Sequence, residues 1–244
     1  MTDEFEGGVP MTPEGLVAAH PNAIWTAADT MVEPLDMKPE MVTIEDVAYA
    51  LSNQPRFTGH VKRTDGFPIT VAQHSCNVAR LVLRKTSDVH EALYGLLHDA
   101  TEAYLSDMAR PIKHYNEFGD AYRKIESGLM VAVAERFGLP AEMPESVKWA
   151  DDFALRVECR DFMGPTMRAM YADPVADELA MYFPSPMRAW SHDAAEAEFL
   201  ACYGLLTAII EGDFERLVVI GTDGKVHPAA EARIEKEAGK LGSD

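Results

Sequence analysis

A chain of 244 residues, 47% hydrophobic and 25% charged, can bury a full core and is too ordinary in composition for a disordered or fibrous protein. Its 40 acidic against 22 basic residues leave a net charge of -18, a field that repels DNA, RNA and anionic membrane. The three cysteines, Cys76, Cys159 and Cys202, lie far apart and are odd in number, which argues against a disulfide framework and predicts buried thiols in a reducing compartment.

The N-terminal MTDEFEGGVP lacks an apolar targeting run, and the longest strongly apolar segment, 199–210, is too short for a bilayer. A cytoplasmic protein is expected. Residues 1–40 carry eight acidic side chains and one lysine; 11–20 suits a short helix and the rest an extended or irregular acidic arm. Residues 43–51 predict a helix with Thr43 as N-cap and Asp46 three residues on. The stretch 52–70 contains Pro55, Gly59, Gly66 and Pro68 and reads as a loop. It also gathers Arg56, His60, Lys62 and Arg63, a local positive cluster in an acidic chain.

Thr70 is placed to cap a helix over 71–85, with His74 on its apolar face. Residues 87–105 read as one helix capped by Ser87, whose apolar face leads through Leu96 and Leu97 to His98. Residues 108–115 form a break at which Pro111 starts a new turn or helix. Helices follow over 116–139, closed by Gly138, and over 144–163, with Asp151 and Asp152 at the edge of its apolar face. Residues 164–187 are mixed, and 191–212 is a strong final helix. Residues 213–244 form a C-terminal extension with one beta-like run at 217–220. The body, 41–212, is therefore expected to be an all-α globular helical bundle.

The chemistry concentrates in GLLHDATEAYLSDMARPIK, residues 95–113. An imidazole and a carboxylate at the end of an apolar run are costly to desolvate unpaired, and a metal ion would pair them. His74, His98 and Asp99 are three ligand candidates, and Asp151 and Asp152 compete for a fourth place. Two imidazoles with carboxylates suit one divalent transition metal such as Co, Mn, Zn, Ni or Fe. Glu102, one turn beyond His98, suits a general base or acid. Asp107 could bond a substrate hydroxyl, orient a cation or cap a turn. Arg56 and Lys113 are phosphate candidates, with Lys62 and Arg63 behind them. His60 or His114 could donate a proton to a leaving oxygen, and Phe57 or Trp149 could stack on a base or sugar.

Together these residues resemble the HD-domain metal-dependent phosphohydrolases: His74, His98-Asp99 and Asp151 follow the order His…His-Asp…Asp. Within that superfamily the chain is most similar to the 5'-deoxynucleotidases and their phage relatives, which include dATP triphosphohydrolases. The matching text is RFTGH (56–60), VAQHS (71–75), LLHDATEAYLSDMARPIK (96–113) and VKWADDFALRVE (147–158), and the likeness covers roughly 43–210.

The resemblance implies an HD-type fold and selects Asp151 over Asp152 as the last ligand. It implies that Glu102 activates water, Arg56 contacts phosphate and Asp107 the sugar hydroxyl. Phe57 stands where such nucleotidases often have tryptophan. The implied reaction releases phosphate or polyphosphate from the 5' position of a dNMP or dNTP, with Mg a further ion for a polyphosphate. The expected partners are a nucleotide and other copies of the chain, as a dimer or higher homo-oligomer. The alternative is a nucleotide-sensing module whose metal site is structural.

Overall fold

Gly15 and residues 18–213 are described in the computed structural model of the chain. An antiparallel ribbon pairs β1 (Ile24–Trp25) with β2 (Met31–Val32). Single 3-10 turns follow at Pro34–Asp36 and Pro39–Met41. Val32 and Val42 are fully buried, so this leading segment contributes to the core. Within the helix expected at 11–20, Gly15, Ala18 and Ala19 are helical; residues 11–14, 16 and 17 and the run expected at 217–220 lie outside the described residues.

Thr43 caps α1 (Ile44–Asn53). Its Oγ1 accepts from the Asp46 N–H at 3.2 Å and donates to Asp46 Oδ2 at 2.9 Å, so the aspartate bonds the capping hydroxyl and not the Thr43 N–H that a full capping box would engage. Thr70 likewise caps α2 (Val71–Thr86), accepting from the Gln73 N–H at 3.3 Å. Every residue from Val71 to Ala79 is buried, which makes α2 the central helix. Polar side chains on such a helix must find partners inside the protein. Gln73 donates to Arg188 O at 2.8 Å and accepts from the Trp190 N–H at 3.0 Å, fastening the segment that enters the last helix.

The helix expected over 87–105 is two helices. Ser87 closes α2 in the left-handed conformation (φ 58), and Asp88 is the cap of α3 (Val89–Leu97), accepting from the N–H groups of His90 and Glu91. At the far end, the His98 ring takes the Gly95 carbonyl, Nδ1 to O 2.8 Å. The chain then turns tightly, with Ala100 N–H on Leu97 O and Glu102 N–H on Asp99 O, into α4 (Glu102–Leu105). Apolar periodicity continues through this turn, so spacing alone does not reveal it.

α5 (Arg110–His114) carries Pro111 in its first turn. α6 (Glu117–Phe137) runs from an Asn116 cap to Gly138 at φ 66, and α7 (Glu145–Phe162) follows Pro144. After a π-helical turn at Arg168–Ala172 come α8 (Ala176–Tyr182) and α9 (His192–Glu211), the latter capped by Ser191. α2 packs on α3, α7 and α9 around a core that includes Leu51, Val78, Leu96, Val157 and Phe199. Burying side chains of this size stabilises the fold by about 1.5–3 kcal/mol each. The result is a mostly helical globular bundle without a closed sheet. Among the described residues no helix is long and apolar enough to cross a membrane. Cys76 and Cys159 are buried; Cys202, expected to be buried, is partly exposed, and all three are free thiols.

Candidate metal centre

α2 and α3 approach so closely that a Cβ on Gly95 would lie 3.3 Å from Ala79 Cα. His74, on α2, and His98, at the end of α3, consequently face each other with ring centroids 5.3 Å apart. Asp99 Oδ2 lies 3.3 Å from His98 Nε2 and 3.7 Å from His74 Nε2. Ligand atoms of His74, His98 and Asp99 all fall within 4.8 Å of one another. Asp151, on α7, places Oδ1 3.2 Å from His74 Nε2 and 4.0 Å from His98 Nε2. Asp152 turns away and pairs with Arg156 at 2.8 Å on the exposed side of the helix.

The other ring nitrogens decide what this cluster can hold. His74 Nδ1 donates to Glu158 Oε1 at 2.7 Å, and His98 Nδ1 donates to the Gly95 carbonyl. With the proton on Nδ1, a neutral imidazole presents a bare lone pair at Nε2. Both Nε2 atoms are buried without a hydrogen-bond partner. A lone pair cannot bond a carboxylate oxygen, so each contact needs a positive charge at Nε2: on His74 a second proton supplies it in the metal-free protein, and a metal ion can take that proton's place. The site accordingly favours a cation. Burial and the Arg56 charge push the His74 ring down, but Glu158 and Asp151 outweigh them and lift it to about 10. Burial raises the Asp151 carboxyl, yet His74, His98 and Arg56 hold it well below the ordinary range. The two engaged Nδ1 atoms, the two Nε2 atoms and the Asp99 carboxylate fit one chelated metal ion, with Asp151 beside them.

Arg56 joins the cluster from the loop between α1 and α2. A bridge between Pro55 and Thr70 closes that loop, with Arg56 N–H on Ile69 O at 3.0 Å. The guanidinium lies 3.6 Å from Asp99 and 3.4 Å from Glu158. Burial opposes its charge, and Glu158, Asp99, Asp107 and Glu102 more than restore it. Its Cζ sits 5.7 Å from the ring centroid of Phe57. Phe57 and Thr58 are both left-handed, at φ 55 and 54, a conformation unfavourable for side chains branched or bulky at this point.

Glu102 is 5% exposed and its Oε2 makes no hydrogen bond. Burial, then the neighbouring charges of Asp99 and Asp107, push its carboxyl well above the ordinary range, against Arg56 and Lys113. Gln54 fixes this region from the end of α1: its Nε2 donates to Glu102 O at 2.9 Å and its Oε1 accepts from the Asp107 N–H at 3.1 Å. Lys113 Nζ lies 2.6 Å from Glu126. Lys62 is held by its backbone, N–H to Phe162 O at 2.8 Å, but its side chain is exposed and touches none of the cluster. His60 and His114 are exposed as well.

Two residues of the site carry no role in the sequence reading. Glu158 is fully buried and joins His74 to Arg56. It stands seven residues after Asp151, two turns along the same face, and that spacing is its only sequence signal. Gln54 has no such signal.

Over 136 residues the chain is 36% identical to an uncharacterized protein of Rhodobacter capsulatus, covering 53% of this chain and 67% of that one. The chain belongs to the same family as that protein. It is also 36% identical over 120 residues to the uncharacterized protein YfdR of Escherichia coli K12, covering 49% of this chain and 61% of the relative. No family model matches. Neither relative's name assigns an activity, so the chemistry has to come from the site.

Proposed function

We propose that the protein is a metal-dependent phosphohydrolase of the HD type that cleaves deoxynucleotides at the 5' position. One observation carries the reading: two buried imidazoles, each locked at Nδ1, turn their Nε2 atoms toward Asp99 and Asp151. His74, His98, Asp99 and Asp151 would hold the ion, which when bound acidifies water and offsets phosphoryl charge.

The remaining work falls to the chain's own side chains. Glu102 takes a proton from the attacking water; its raised proton affinity brings it nearer to the working range of a general base. Arg56, kept charged and oriented by Glu158 and Asp99, directs N–H groups at the phosphoryl oxygens, where charge grows in the transition state. Asp107 accepts from the sugar hydroxyl, and the Phe57 ring flanks the sugar or base. Lys113 adds positive charge beside the phosphate, and Lys62 meets the far end of a polyphosphate. The roles of Asp107, Phe57, Lys62 and Lys113 rest on the resemblance and on residue chemistry.

The test is turnover. Protein loaded in turn with Mn, Co, Zn, Ni or Fe is offered dNMPs, dNTPs and ribonucleotides, and release of phosphate, pyrophosphate and triphosphate is measured. Deoxynucleotide hydrolysis that is lost in Glu102→Ala with metal content retained is the expected result. Nucleotide binding without turnover under any metal would instead make the protein a sensor.

A further inference from the structure

A cavity of about 180 Å³ is lined in part by Trp25, Thr26, Asp46, Tyr49, Ala103 and Tyr104. Three of these side chains are aromatic, and none of the three rings is stacked on another aromatic ring among the described residues. Trp25 and Tyr49 are each 48% exposed, so their surfaces are open to an incoming group.

Asp46 is the anomaly. It is 4% exposed, yet among the described residues no lysine, arginine or histidine pairs with it. Its capping duty engages Oδ2 alone, through the Thr43 hydroxyl. Buried carboxylates are as a rule paired with a cation, because desolvating an unpaired charge is expensive. Beside it, the Tyr104 hydroxyl is buried and donates no hydrogen bond of normal geometry; the Thr43 backbone lies near it. Among the described residues no lysine or arginine lines the cavity. A carboxylate short of a cation, a buried phenol and aromatic walls are the surroundings that hold an organic ammonium ion. The chain's net charge of -18 draws such ions in.

We propose that this cavity binds a small alkylammonium ion, its charge set against Asp46 and its carbon groups against Trp25, Tyr49 and Tyr104. The site is independent of the metal centre and of the reaction assigned to it.

Ligand-observed NMR at constant ionic strength tests the proposal on the full chain. The probes are choline and n-butylammonium, each beside a neutral isostere, 3,3-dimethyl-1-butanol and 1-butanol. Saturable binding is expected for at least one cation, with its isostere weaker by about tenfold or more. Tyr49→Ala, at a half-exposed position, and Asp46→Asn, which keeps the shape of the cap, should each weaken that cation by about fivefold or more. Circular dichroism confirms that both variants are folded. Absence of saturation by both cations, equal binding of the isosteres, or unchanged binding in both folded variants would overturn the proposal.

Discussion

His74 stands in the first turns of the long helix α2, and Asp151 well inside α7. Arg56, Phe57 and Asp107 come from a loop and a tight turn, where Phe57, Thr58 and Ser106 all have positive φ. On the helix side each ring nitrogen has a defined task, and Glu158 ties His74 to Arg56 at the centre. On the loop side Arg56 is held by Glu158 and Asp99, while only the backbones of Asp107 and Lys62 are fixed, by Gln54 and by Phe162 O. On the reading proposed above, the helix side is a cradle for a cation and the loop side a rim for a substrate. The contrast predicts that changes to the cradle act on stability and metal content, and changes to the rim act on turnover.

The largest effect is expected at Glu158. Glu158→Ala leaves Arg56 short of a buried partner and the His74 proton without its acceptor, and should cost about 3–5 kcal/mol in urea unfolding. Glu158→Gln keeps the shape and should lower metal affinity by about 10–100-fold, read by calorimetric titration. Unchanged values in both variants would remove Glu158 from the cradle.

Glu102→Gln comes next. Turnover should fall by about 10²–10⁴-fold while metal stoichiometry stays at that of the parent. Because the folded protein raises the Glu102 carboxyl above its unfolded value of 4.5, its ionised form costs stability once the pH exceeds that value. The metal-free variant should therefore be more stable than the metal-free parent at pH 8.

The His74 ring gives a pH signature of smaller size. It is raised from 6.5 to about 10 in the metal-free protein, so its stabilisation is complete below 6.5 and is lost as pH rises toward 10. Chelated protein should lose stability across that window, and His74→Gln should flatten part of the decline. Thr58→Gly is the smallest change. Relieving one left-handed residue should stabilise the fold by about 0.5–1 kcal/mol without altering the metal titration.

The two sides also differ in how far the sequence reveals them. Helix caps at Thr43 and Thr70 and the apolar spacing of α1, α2, α6, α7 and α9 are local properties, and the structure follows them within a few residues. The break after His98 is not local in this sense. It follows from a side chain taking a carbonyl that the helix would otherwise use, and the apolar pattern runs on regardless. Asp151 and Asp152 are alike in composition; only the packing of α7 turns one toward the imidazoles and the other toward Arg156. Glu158 illustrates the remaining difficulty. An acid on a helix is ordinarily solvated, and its burial becomes intelligible only when His74 and Arg56, 84 and 102 residues away, are seen beside it.

The most direct test of the cation cradle is calorimetric titration of Mn or Co into chelator-treated parent, Asp151→Asn and Asp152→Asn proteins. One ion per chain should bind the parent and Asp152→Asn equally, and binding should be lost or greatly weakened in Asp151→Asn. No binding to the parent, or a loss in Asp152→Asn with Asp151→Asn unaffected, would contradict the account.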